Sequence, residues 1–157
     1  MQKNLTPSSI KLNIGCSLNP IPGWINCDNS LTLRISRIPI LPIFLKKIGF
    51  ISEKKYREIK EIKKMSVIFL NALKPLPFSD NSVDAIYISH VLNCFTRLET
   101  ESFLKEAYRI LKPTGILRIS VPDLRKKIDA YQEHGNADEF IDSIYARRLQ
   151  TDFFIKP

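Results

Sequence analysis

The sequence has 157 residues, 44% hydrophobic and 25% charged, which predicts one domain with a real core and excludes a disordered chain. Three cysteines without paired spacing exclude a disulfide framework and point to a reducing compartment. The net charge of +8 is concentrated: from Arg34 to Lys64 there are ten Lys or Arg against three Glu, which marks about 31–65 as a basic insert within a single domain, 1–157. The first residues hold no apolar stretch of signal-peptide length, and the expected location is cytoplasmic.

In chain order, the run Leu12 to Ile14 feeds straight into Gly15, Cys16 and Ser17, and a second run, Trp24 to Cys27, ends on Asp28. This predicts strand, tight loop, strand, carboxylate. A glycine directly after a buried strand lets the backbone turn and a ligand come close. An acid at the tip of the next strand can accept from both hydroxyls of a ribose, so half of a nucleoside site is expected, with Asp28 solvated when that site is empty. Ser17 stands where a dinucleotide fingerprint would have its second glycine, which disfavours an NAD enzyme.

Within the insert, Ile38 to Phe50 is apolar but interrupted by Pro39, Pro42, Lys46 and Lys47. It falls short of the ~20 apolar residues that span a bilayer, which leaves a flap over the site or, at most, a peripheral membrane contact. The basic surplus suits phosphate, an anionic sugar, nucleic acid or a membrane surface, or else a solvated helix face. From Ser52 the spacing of Tyr56, Ile59, Ile62 and Met65 predicts a helix, with Ser52 as N-cap and Glu53 set to pair with Arg57.

Val67 to Leu70 is the third predicted strand and runs out at Asn71; Val83 to Ser89 is the fourth and ends at His90. Phe103, Leu104, Ala107, Ile110 and Leu111 predict a helix with a Thr96–Glu99 capping box, stopped by Pro113 and Gly115. Ile116 to Val121 is the fifth strand. Asp123 caps a helix through Leu124, Ile128 and Tyr131 that Gly135 ends, and Asn136 with Glu139 starts a last one through Phe140, Ile141, Ile144, Tyr145 and Leu149. The fold class is therefore α/β: a Rossmann-like, doubly wound, mainly parallel sheet of about five strands with helices on both faces. Ligands in such sheets bind at the carboxyl ends of the strands, where Gly15, Asp28, Asn71 and His90 fall.

The segment 71–124 combines PLPFSDNSVDAIY, SHVL, RILKPTG and ILRISVPDL, preceded by LNIGC and GWINCD. In that combination, which covers almost the whole chain, it resembles the class I S-adenosylmethionine-dependent methyltransferases, especially a small branch found with polysaccharide genes. The resemblance implies S-adenosyl-L-methionine as cofactor. Gly15 and Cys16, with Ser17, would pass under its methionine part; Asp28 would hold the ribose, Asn71 with Ala72 would meet the adenine, and Ser89 and His90 would face the methyl group and the acceptor. The family commonly has an acid at Asn71, Gly at Ser17, Glu-His at Asn93 and Cys94, and Gly-Gly at Thr114 and Gly115. It also usually closes the sheet with two further strands, so either the sequence is a fragment or the sheet ends at five.

The implied activity is methyl transfer to a small-molecule or saccharide acceptor, at oxygen. There His90 is the candidate base, or else a residue that fixes the loop after strand four. Alternatives are a cofactor-binding module without turnover and, on the basic insert alone, a methyltransferase for RNA or another polyanion. Nucleic acid is otherwise not an expected partner. A homo-oligomer is expected if the fifth strand is an edge. No metal is expected, because Cys16, Cys27, Cys94 and His90 lack the close pairs of zinc sites. No phosphate loop or nucleophile elbow is present.

Overall fold

The computed structural model describes residues 9–144. Five strands form one sheet: β1 (Lys11–Ile14), β2 (Ile25–Asp28), β3 (Val67–Phe69), β4 (Val83–Ser89) and β5 (Leu111–Ser120). The order is β3-β2-β1-β4-β5 and every neighbouring pair is parallel. The order reverses direction at β1, so the ends of β1 and β4 form the switch point at which such sheets hold ligands. Among the described residues β5 has only β4 as a partner.

The register separates the two faces. Leu12, Ile14, Cys27, Ile86 and Ile88 share one face and pack against Phe103, Ala107 and Ile110 of α4 (Arg97–Ile110), the helix that joins β4 to β5. Its start carries the predicted capping box, with Thr96 and Glu99 each satisfying the other's amide. The opposite face carries Asn13, Asn26, Val67, Tyr87 and Arg118. Only its β2–β3 side is seen to be roofed: Val67 packs with Leu33 of α1 (Leu31–Ser36) and Ile62 of α3 (Glu53–Lys64).

The insert is three helices, where spacing predicted only the last. Prolines and lysines masked α2 (Leu41–Lys47), whose Leu41 and Leu45 pack against Ile35, Ile51, Ile59 and Tyr56. Ser52 caps α3 as expected, but Glu53 pairs with Lys46 at 2.7 Å rather than with Arg57. The pairing of β5 jumps from Leu111 opposite Val83 to Ile116 opposite Ala85. Lys112 to Gly115 bulge out between them, so Pro113 and Gly115 interrupt the ladder, and regular pairing starts where the sequence put the strand.

Beyond β5, α5 (Leu124–His134) is capped by Asp123 and ended by Gly135, and α6 (Ala137–Ile144) folds back on it with Tyr131 against Phe140. Tyr145 and Leu149, expected on that last helix, lie outside the described residues.

The PLPFSD and RILKP stretches are coupled through one arginine. The Arg109 guanidinium donates to the carbonyls of Leu76 (3.1 Å) and Phe78 (3.0 Å) and to the carboxylates of Asp80 (2.7 Å) and Glu106 (2.8 Å). Glu106 in turn accepts from the Leu76 amide at 2.9 Å. These charge-assisted bonds fasten the 75–80 turn to α4. The most recognisable part of the sequence is thus scaffold.

Candidate functional site

Along the carboxyl edge of the sheet stand, strand by strand, Asn71 after β3, Asp28 at the end of β2, Gly15 to Ser17 after β1, and Ser89 with His90 at the end of β4. Three inter-strand gaps of about 4.8 Å place the outer groups roughly 14 Å apart. That span suits a nucleoside with an amino-acid tail.

A cavity of about 430 Å³ opens over β1 and β4, lined by Asn13, Gly15, Cys16, Ser17, Asn19, Tyr87, Ser89 and His90. It brings together five of the residues singled out from the sequence: Gly15, Cys16, Ser17, Ser89 and His90. Asp28, Asn71 and Ala72 do not line it; they lie toward β2 and β3, joined there by the Leu70 amide donating to the Asp28 carbonyl at 3.0 Å. Ala72 packs into the core on the α4 side.

The cavity is open because β1 and β2 are joined without a helix. Parallel strands usually need a helical crossover, whereas here residues 15–24 make the connection as loop and turns. Two buried asparagines hold it. Asn13 Nδ2 donates to Asn26 Oδ1 (2.9 Å) and to the Asn19 carbonyl (3.3 Å). Asn26 accepts from the Ile21 amide (2.8 Å) and donates to the carbonyls of Ile21 (3.0 Å) and Trp24 (3.1 Å). Asn13, Asn19 and Tyr87 were not anticipated. An asparagine inside each of the apolar runs LNI and INC was the available signal for the first, since a buried amide needs partners.

Gly15 has φ +74, and a Cβ there would sit 2.2 Å from Val91 Cγ2. The side chain that demands a glycine is therefore Val91, from the loop after β4. The Gly15 and Cys16 amides both donate to the Cys27 carbonyl, at 2.8 and 3.0 Å. Burial, with Asp28 nearby, raises the Cys16 thiol to about 11; burial, with Cys16 and Asp28, raises Cys27 to about 12. Both are neutral packing groups at physiological pH.

Asp28 corrects the expectation of a solvated carboxylate. It is 6% exposed, with Oδ2 accepting from the Ser17 amide (2.8 Å) and Oδ1 from the Ser30 amide (2.6 Å). Ser30 caps α1 through its own hydroxyl. Asp28 thereby ties the glycine loop to the start of the insert. Asn71 Oδ1 accepts from the Leu73 amide at 3.0 Å, closing a local turn.

His90 is exposed, with φ +54, a left-handed conformation in which histidine is over-represented among non-glycine residues. Its amide donates to the Ser120 carbonyl at 2.9 Å and its carbonyl accepts from Cys94 Sγ at 3.8 Å. The backbone of His90, not its ring, fixes the loop. The ring makes no hydrogen bond to the described residues. A strained residue beside a cavity is a common mark of a functional position.

A family model described as "Methyltransferase domain" matches residues 50–119. The chain is 30% identical over 147 residues to the "Ubiquinone/menaquinone biosynthesis C-methyltransferase UbiE" of Blochmanniella pennsylvanica, covering 85% of this chain and 55% of that protein. It is 41% identical over 86 residues to the protein of the same name from Citrobacter koseri, covering 51% of this chain and 33% of that one. The chain thus spans about half or less of the length of these curated relatives. Among solved structures, the PH0226 protein from Pyrococcus horikoshii is similar at 24% identity and a TM-score of 0.46, covering 83% of this chain and 57% of that one. The methyltransferase-domain match and these curated relatives, with a parallel sheet ordered 3-2-1-4-5 that carries a glycine loop after β1 and a carboxylate at the end of β2, support a class I S-adenosylmethionine-dependent methyltransferase.

Proposed function

We propose that the protein transfers a methyl group from S-adenosyl-L-methionine to a small-molecule or saccharide acceptor, at oxygen, in the cytoplasm. The observation that carries this reading is the cavity that gathers the glycine loop after β1 with Ser89 and His90 at the end of β4. The residues present fit the cofactor. Each Asp28 oxygen uses one lone pair on a backbone amide, and a carboxylate oxygen has a second to offer a ribose hydroxyl. The Asn71 side chain keeps its NH2 group, and Oδ1 a further lone pair, for adenine. Ser17, Ser89 and His90 supply polar groups toward the tail and the acceptor.

The cofactor's sulfonium makes its methyl carbon electrophilic, so little further activation is required of the protein. The chain's part is alignment and exclusion of water. His90 would take the proton of the acceptor hydroxyl on a ring nitrogen while the methyl carbon exchanges its bond to the leaving sulfur for one to that oxygen, and would release the proton to solvent afterwards. A second reading, transfer to carbon, is favoured by the curated relatives, which are named as C-methyltransferases.

Calorimetric titration of the full chain with S-adenosylhomocysteine should give at least micromolar affinity, and the ligand should raise the melting temperature because it binds only the folded state. No heat and no thermal shift at millimolar ligand, on a folded sample, defeats the cofactor role. Incubation with methyl-labelled cofactor and a panel of saccharides, hydroxylated small molecules and quinols then reads the acceptor, with carbon-13 shifts separating O-methyl from C-methyl. Replacing His90 by Asn, which tolerates the left-handed backbone, should lower kcat by roughly 100-fold or more if the ring is the base. Binding without any transfer would leave a module that holds the cofactor and does not turn over.

A further inference from the structure

The segment 38–50 presents an apolar surface to solvent. Ile38, Ile40, Ile43, Phe44 and Ile48 each expose half or more of their area, and no residue of α2 is buried. Leu41 and Leu45 seat α2 on α3, and none of the outward residues belongs to a core cluster of the described residues. Ile40 is the most telling member. It has φ +70, a conformation that a β-branched side chain adopts only at a cost, and it is 74% exposed, so no core contact offsets the strain. The charge around the row is mainly positive: from Arg37 to Ser52 there are Arg37, Lys46 and Lys47 and no acid, and Glu53 then pairs with Lys46. Along α3 six further Lys or Arg stand against Glu53, Glu58 and Glu61, so the surplus stays basic.

A second copy of the chain would bring two such basic surfaces together, which repels. A nucleic acid would match the charge but gain nothing from exposed isoleucines. A phospholipid surface with anionic headgroups matches both, since aliphatic and aromatic side chains enter the boundary between headgroups and acyl chains while lysines meet the phosphates. We propose that the 38–50 surface is an interfacial membrane contact, which inserts Ile40, Ile43, Phe44 and Ile48 among anionic phospholipids. The proposal does not depend on the methyl acceptor. No helix among the described residues is long and apolar enough to cross a membrane, so the contact is one of lying on the surface.

The test is co-sedimentation of the full chain with vesicles of phosphatidylcholine, alone or with about one third phosphatidylserine. Binding to the anionic vesicles is expected, falling at least roughly fivefold in Phe44→Ser and in high salt. Ile40→Gly supplies the control against simple misfolding. Glycine has no Cβ to strain the backbone at φ +70 and ψ −33, so this variant should melt at or above the wild-type temperature and yet bind vesicles more weakly. A folded chain that stays in the supernatant overturns the proposal, as does binding that neither substitution changes. A dimer seen by sedimentation velocity and broken by these same substitutions would assign the face to a second copy and overturn it too.

Discussion

Replacing Asp28 by Ala tests the centre of the site, because the structure gives this carboxylate two duties at once. Its oxygens accept from the Ser17 and Ser30 amides, and it is almost wholly buried. Ser17 is exposed and Ser30 half-buried, so what is lost is the charge-assisted bond itself, about 1.5–3 kcal/mol at most for each. Two such losses make up to about 3–6 kcal/mol, a large part of the 5–15 kcal/mol that typically holds a domain together. Asp28→Asn keeps one oxygen and turns an NH2 toward the other amide, so it should lose roughly half as much. Urea unfolding monitored by circular dichroism measures this, as a lower midpoint at unchanged slope. On samples verified as folded, S-adenosylhomocysteine affinity should fall at least tenfold if the second lone pairs serve the ribose. Midpoints of both variants within about 0.5 kcal/mol of wild type would refute the structural duty. A destabilised variant that binds the cofactor within twofold would refute the ribose duty.

Gly15→Ala should cost about 2–4 kcal/mol, from a left-handed backbone and a Cβ driven into Val91, and adding Val91→Ala should restore part of the loss in the same unfolding assay. The Arg109 guanidinium, together with the Leu76 amide, holds the Glu106 carboxylate down at about 2. A depressed acid stabilises the fold above its unfolded value and loses that contribution as pH falls toward the folded one. Glu106→Gln should therefore lower the melting temperature at neutral pH and flatten its fall between about 4.5 and about 2. The buried thiols act in the opposite sense. With Cys16 and Cys27 raised to about 11 and about 12 from 9.0, their contribution is complete below 9.0 and lost as pH rises toward those values. A melting temperature that is flat from neutrality upward through that window would contradict their burial.

The sheet was legible because each strand is a short apolar run closed by a turn residue, and four of the five match the predicted runs to within a residue or two. The exception, β5, begins early only because Leu111 pairs before the Lys112–Gly115 bulge. The insert was less legible. In α2 the apolar residues face both ways, inward through Leu41 and Leu45 and outward through Ile43 and Phe44, so no one-sided period exists to detect. At the site, sequence located the strand ends but not what each group does there. Gly15 reads the same whether the close neighbour is a ligand or Val91. Asp28 reads the same whether it waits in solvent or already holds two amides, since burial is decided by the arrival of Ser17 and Ser30 from either side.

The helix-free link between β1 and β2 leaves residues 15–17 to the Cys27 carbonyl and Asp28, and places the order of residues 19–24 in the hands of two amide side chains. A crossover helix would carry its own ladder of backbone hydrogen bonds and could open only as a unit. Here the Ile21 amide is held by Asn26, and Asn26 is held by Asn13, so the loop can release while the parallel ladder stays shut. Amide hydrogen exchange in residues 19–24 should then run faster than in β1 and β4, and the shape of the cavity should be set by an equilibrium separate from global unfolding. A ligand that closes the loop would slow that exchange without altering the sheet, which makes loop exchange a reporter of occupancy that fold stability leaves silent.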